Sequence, residues 1–197
     1  MNQESMMKRW NRVISPFAVL GLGSLAIALT TLSSRAIANS PDPLTQLLST
    51  RSCVGCNLAG ADLRRYDLSG VNLSKANLRN ANFFQANLEN ADLHGADLRD
   101  AYLGEVNGRA ANFNAARLDY ANLNRGDFAG ATFYTTSFRE ALIERVNFQN
   151  ALLSAADFTQ AVIVATDFRG AVLCGALMPY GDYRHACTAA ETNAAAE

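Results

Sequence analysis

Residues 86–98 read ANLENADLHGADL, so that Ala, then Asn or Asp, then Leu recur at 86–88, 91–93 and 96–98. A period of five fits neither regular element. An α-helix would smear it around the surface, and a straight strand would send successive Leu residues to opposite faces. A chain that turns a corner in every unit can instead point the first and third residues inward each time. The Asn or Asp at the second position then bonds locally to turn backbone.

Working outward, residues 56–180 divide without insertion into twenty-five such units. The third residue is large and apolar from Leu58 to Met178, with Gly108 as the only exception. Self-similarity of this kind demands a repeat architecture. If four corners close a turn, residues twenty apart stack, at about 4.8 Å per layer. Of the eight units that lack Ala at the first position, Tyr66, Val106, Gly126, Val146 and Thr166 fall in one twenty-residue column. Phe128, Phe148 and Phe168 belong to the same column of units, Phe113 pairs with Phe133 and Phe138 with Phe158, which predicts ladders of stacked core rings. Gly108 removes a core side chain between Leu88 and Phe128, and either Phe128 or Val106 is expected to fill the gap, or the coil to bulge.

With so many consecutive in-phase units, the chain resembles the pentapeptide-repeat family. That resemblance implies an all-β fold, a right-handed quadrilateral β-solenoid of about six coils. The flanking stretches LLSTRSCVGCNLAGADL and LCGALMPYG are similar to those of exported members from cyanobacteria.

The first forty residues are different material. Lys8, Arg9 and Arg12 precede an apolar run from Val13 to Leu32, and Ala36-Ile37-Ala38 follows. This reads as a secretory signal peptide over residues 1–38; the alternative is an uncleaved anchor over the apolar run. The formal charge is -1 for the whole chain and 13 minus 17, or -4, after residue 38. Neither value signals polyanion binding. Cys53, Cys56, Cys174 and Cys187 remain, an even set that favours disulfides in an exported protein.

A solenoid needs caps at its ends. Residues 39–55 are expected to form the first: Asp42 caps a short helix opened by Pro43, with Leu44, Leu47 and Leu48 on one face, followed by Cys53-x-x-Cys56. Without a βαβ context the Cys pair reads as a cap disulfide rather than a redox motif. Cys174 and Cys187 would close a short loop worth roughly 3 kcal/mol in the chain-entropy model. With His185 they supply only three ligands, one short of a structural zinc site, so no metal is expected. Residues 181–197 are an Ala-rich tail.

Function must lie on outward positions. Arg79, Arg99, Asp119 and Arg139 form one outward column, and Phe84 and Tyr102 lie close together in neighbouring coils. In the last units the second position turns apolar at Leu142, Leu152, Val162, Val172 and Leu177, so apolar side chains should emerge on several faces and be covered by the tail or by a second copy. Phe84, Tyr102, Leu142, Val162, Val164, Arg79, Arg99 and Arg139 are the candidate contact surface. No catalytic constellation can be assembled around His94 and His185, and no glycine loop cradles a phosphate. The chain is therefore expected to be non-catalytic and to carry no cofactor. The family resemblance also implies an alternative, a DNA-mimicking inhibitor or protector of a type II topoisomerase, but the charge is mild and export would separate the two proteins. The expectation is a rigid exported scaffold or protein-binding rod of the periplasm or thylakoid lumen. Its partner is an unknown protein of that compartment, with no nucleic acid, no membrane contact after signal cleavage, and a possible homodimer through the C-terminal coils.

Overall fold

The computed structural model describes residues 42–182. The expected signal segment, Cys187, His185 and the tail beyond residue 182 lie outside the described residues. Within them the chain is a β-solenoid. Each second-position residue from Ser52 onward bridges, in parallel, the residue twenty positions later, from Ser52 with Asn72 to Asp157 with Leu177. Four five-residue units therefore make one coil. The pairing starts at Ser52, one unit before the expected boundary at Cys56, because Cys53 takes the inward third position and is fully buried.

The five-residue unit follows from its hydrogen bonds. At the second position a carboxyl or amide oxygen accepts the N–H two residues on, as in Asn82 with Phe84 at 3.0 Å and Asp92 with His94 at 3.0 Å. The turn then ends in left-handed backbone. Every fifth residue from Gly55 to Gly175 has φ between +49° and +70°, and most of these residues are not glycine. The third residue's N–H donates to the next coil, as Leu88 does to Asn107 O at 2.6 Å. Amide side chains extend the same ladders, with Asn87 Nδ2 on Asp67 at 3.0 Å and Asn107 Nδ2 on Asn87 at 2.9 Å.

First and third positions fill the core. Ala76, Leu78, Ala81 and Phe83 are fully buried, and the pattern continues upward. The expected ring ladders are present: Phe113 stacks on Phe133 at 4.9 Å and Phe138 on Phe158 at 4.7 Å between centroids. Phe128, Phe148 and Phe168 stack in turn at 5.8 and 5.4 Å. Where Thr replaces Ala at a first position, its hydroxyl finds a carbonyl, as the buried Thr136 does at Phe113 O, 2.7 Å away.

Two ends frame this column. Helix α1, Pro43–Thr50, has Asp42 accepting from Thr45 N at 3.3 Å and stops where Arg51 turns left-handed. Leu47 is buried and Leu44 packs against the core, but Leu48 points to solvent, which narrows the expected apolar face to two residues. Cys53 and Cys56 form a disulfide beneath the helix, with the Cys53 sulfur 3.5 Å from Pro43 O. At the far end the isolated bridges widen into true strands. β1, Leu142–Glu144, pairs in parallel with β2, Val162–Val164. The described chain closes with β3, Leu177–Met178, antiparallel to β4, Gly181–Asp182.

Candidate binding surfaces

The twenty-residue register assigns every outward side chain to one of four faces. One face carries second positions Asp62, Asn82, Tyr102, Asn122, Leu142 and Val162. Its fourth positions are Arg64, Phe84, Gly104, Asn124, Glu144 and Val164. The five apolar members of the candidate contact surface thus share a single face. Tyr102, Val162 and Val164 are exposed on it, while Phe84 and Leu142 are half-buried. Leu152 and Val172 lie on a second face and Leu177 on a third, so the apolar second positions do spread over several faces, as the sequence implies.

Phe84 and Tyr102 meet. Their rings stack at 5.8 Å between centroids with an interplanar angle of 27°. Gly104 makes room for this: a Cβ there would lie 2.6 Å from Tyr102 Oη. The sequence shows Gly104 at a fourth position, but only the tyrosine rotamer reveals why a side chain is missing. At the lower end of the same face, Asp62, Arg64, Arg65, Tyr66 and Phe84 line a surface groove of about 510 Å³. Tyr66 stands at a first position yet is 36% exposed, whereas its column neighbours Ala86 and Val106 are buried. The repeat pattern gives no sign of this groove, because a first-position residue is inward by rule.

The Arg column lies elsewhere, on the face whose second positions include Asn77, Asp97, Arg117, Ser137 and Asp157. Its charges are engaged within the solenoid. Arg99 grips Asp97 through two bonds of 2.7 and 2.6 Å, Arg79 approaches Asp100 at 3.7 Å, and Arg139 approaches Asp157 at 3.8 Å. Asp119 is nearly buried, accepts from Ser137 Oγ, and lies 3.5 Å from Arg117. The Arg99 guanidinium holds the Asp97 carboxyl below its ordinary range. Such a ladder is a braced surface, and each of its exposed pairs contributes at most about 1 kcal/mol. Cys174 sits at the C-terminal end of another face and is itself disulfide-bonded. Among the described residues, no group of three or more His, Cys, Asp or Glu side chains could hold a metal ion, and no helix is long and apolar enough to cross a membrane.

A twenty-residue coil, five-residue units and an Asn/Asp-bonded turn define a β-solenoid of five-residue repeats. Two family models described as Pentapeptide repeats match, with 8 copies over residues 52–90 and 9 copies over residues 118–162. The chain belongs to the pentapeptide-repeat family. Among solved structures it is similar to HetL of Nostoc sp. strain PCC 7120, a pentapeptide repeat protein involved in heterocyst differentiation regulation. There the identity is 28% over 66% of this chain and 69% of HetL, with a TM-score of 0.46. A pentapeptide repeat protein from the Arabidopsis thaliana thylakoid lumen is 27% identical over 63% of this chain and 77% of its own, with a TM-score of 0.34. The Nostoc protein alr5209 is 31% identical over 44% of this chain and 84% of its own, with a TM-score of 0.26. No curated protein matches the chain.

Proposed function

We propose that this chain is a non-catalytic, exported, right-handed quadrilateral rod that binds a protein partner in the periplasm or thylakoid lumen. The observation that supports it is the gathering of Phe84, Tyr102, Leu142, Val162 and Val164 on one face of a scaffold whose inward positions are consumed by packing. Exposed apolar side chains collected along one surface mark contact sites. The cysteines support the compartment: among the described residues none is free, which fits an oxidising space. In this reading the solenoid contributes rigidity and spacing, and the face contributes recognition.

The test is affinity capture from separated exported and cytosolic fractions, with wild type, Tyr102→Asp and Leu142→Asp as baits. A partner of the exported fraction that is retained by wild type and lost by both variants supports the reading. Recovery of the native protein in the cytosol with alkylatable thiols overturns it and returns the topoisomerase reading to first place. Light scattering on the purified protein decides whether the partner is a second copy joined through the C-terminal coils.

A further inference from the structure

The groove at the lower end of the recognition face has a chemistry of its own, and its interpretation rests on the protein-binding reading above. Asp62 fixes Arg64 through two bonds of 2.7 and 2.6 Å and also accepts the Arg64 backbone N–H at 3.3 Å. Arg65 is steadied differently: its Nε donates to Gln85 Oε1 at 3.1 Å, and Gln85 in turn donates to Glu105 at 2.9 Å. Asp62 is thereby committed to Arg64. Both η nitrogens of Arg65 and one of Arg64 are left without a partner among the described residues.

The groove therefore offers fixed cationic donors, while its one carboxylate is already engaged. Beside them stand Tyr66, partly exposed where its column neighbours Ala86 and Val106 are buried, and Phe84, whose ring stacks on Tyr102. A planar fork of free N–H groups next to an aromatic wall selects for a carboxylate adjoining an apolar side chain. The open, surface-lying form of the groove suits an extended chain.

We propose that this groove binds an extended acidic segment of the partner protein, with an Asp or Glu carboxylate on the η nitrogens of Arg65 and a neighbouring apolar side chain against Phe84 and Tyr66. A bond from a charged donor contributes enough to change affinity by about tenfold or more when it is removed.

Fluorescence anisotropy tests the proposal with a labelled twelve-residue peptide of alternating Glu and Phe, beside the same peptide with Gln in place of Glu. The oxidised protein should bind the Glu peptide about tenfold more tightly than the Gln peptide. Arg65→Gln, which leaves the fold intact by circular dichroism, should abolish that difference, and Tyr66→Ala should weaken both peptides. Salt should weaken the Glu peptide most. Equal binding of the two peptides to wild type, or an unchanged preference in Arg65→Gln, overturns the assignment. The captured partner separates this failure from that of the broader reading: loss in Leu142→Asp with full retention in Arg65→Gln removes the acidic-groove assignment alone, and retention in both removes the two together.

Discussion

The Phe128 ring occupies the space that a side chain at Gly108 would need. A Cβ on Gly108 would lie 2.5 Å from Phe128 Cδ1, and a Cβ on Gly126 would lie 2.5 Å from Phe128 Cε2 on the other edge of the ring. The two departures from the repeat, one at a third and one at a first position, thus serve one buried phenylalanine. Restoring the consensus with Gly108→Leu should therefore destabilise the protein, by about 1–3 kcal/mol as overpacking does. Phe128→Ala should cost about 3–5 kcal/mol. Combining the two should cost less than their sum, because the new leucine fills the vacated volume, and urea melts of the four proteins measure that coupling.

A second consequence follows from the left-handed fifth positions. Ala115 has φ +56° and is exposed, and such backbone costs an L residue about 1 kcal/mol relative to glycine. Ala115→Gly should raise stability by roughly that amount. Gly130, at φ +68° with nothing within 4 Å of the place a methyl would take, should show the reverse: Gly130→Ala should cost about 1 kcal/mol from the backbone alone. Equal and opposite shifts in the urea midpoint are the expected result; a stabilising Gly130→Ala would contradict the argument.

These positions also show where sequence reading works and where it stops. The period of five, the twenty-residue coil and the phenylalanine ladders are arithmetic on side-chain size, and packing enforces that arithmetic along the whole column. The filling of the Gly108 gap was legible for the same reason. The Cys53 unit was not, because Arg-Ser-Cys-Val-Gly lacks the Ala-Asn-Leu signature and takes its place only by abutting α1. The common face of Tyr102, Leu142 and Val162 was present in their spacing of forty and twenty residues, yet it acquires meaning only with Phe84 and Val164 placed beside them. The exposure of Tyr66 and the loss of Leu48 from the helix face depend on local rotamers and on the end of the column, which no period encodes.

Acid should lower the stability of the solenoid in a definite window. Asp62 is held down to about 2 by hydrogen bonds from Arg64, Asp97 is lowered by Arg99, Asp67 by the bond from Ser69, and Asp167 by Arg169. Each folded value lies below the ordinary carboxylate value near 3.8. A depressed carboxylate stabilises the fold fully above its unfolded value, and that contribution is lost as pH falls through the folded one. The melting midpoint should therefore be nearly flat down to about pH 4 and fall between about pH 4 and pH 2. Arg99→Gln should narrow the difference between pH 7 and pH 3. A decline centred above pH 5 would point to groups other than these.

Gly104→Ala separates surface geometry from stability. No left-handed φ is required at Gly104, so the backbone accepts alanine, but the new methyl would strike the Tyr102 hydroxyl end at 2.6 Å and lift the ring from Phe84. The tyrosine is exposed, so the fold should lose less than about 1 kcal/mol. Partner capture should nevertheless fall as far as it does in Tyr102→Asp. A variant that melts like wild type and still captures the partner fully would show that the stacked pair takes no part in recognition.

The last prediction concerns the N-terminal end. Cys53 fills an inward third position of the first coil among the described residues, bonded to Cys56 and with its sulfur 3.5 Å from Pro43 O of α1. The Cys53–Cys56 loop is short, so the chain-entropy model gives its disulfide only about 2 kcal/mol. Its larger effect should be local. Replacing both cysteines with serine leaves a buried hydroxyl where a sulfur packed, and α1, anchored by Leu44 and Leu47 alone, should then exchange its amide hydrogens much faster than the coils above it. Hydrogen exchange on the wild type and the double serine variant reads this directly. Fast exchange confined to Pro43–Thr50 and the first coil is the expected pattern, because each coil above remains hydrogen-bonded to its neighbours through its own ladder. Acceleration spread evenly along the solenoid would mean instead that the column unfolds as one unit and that the cap governs the whole of it.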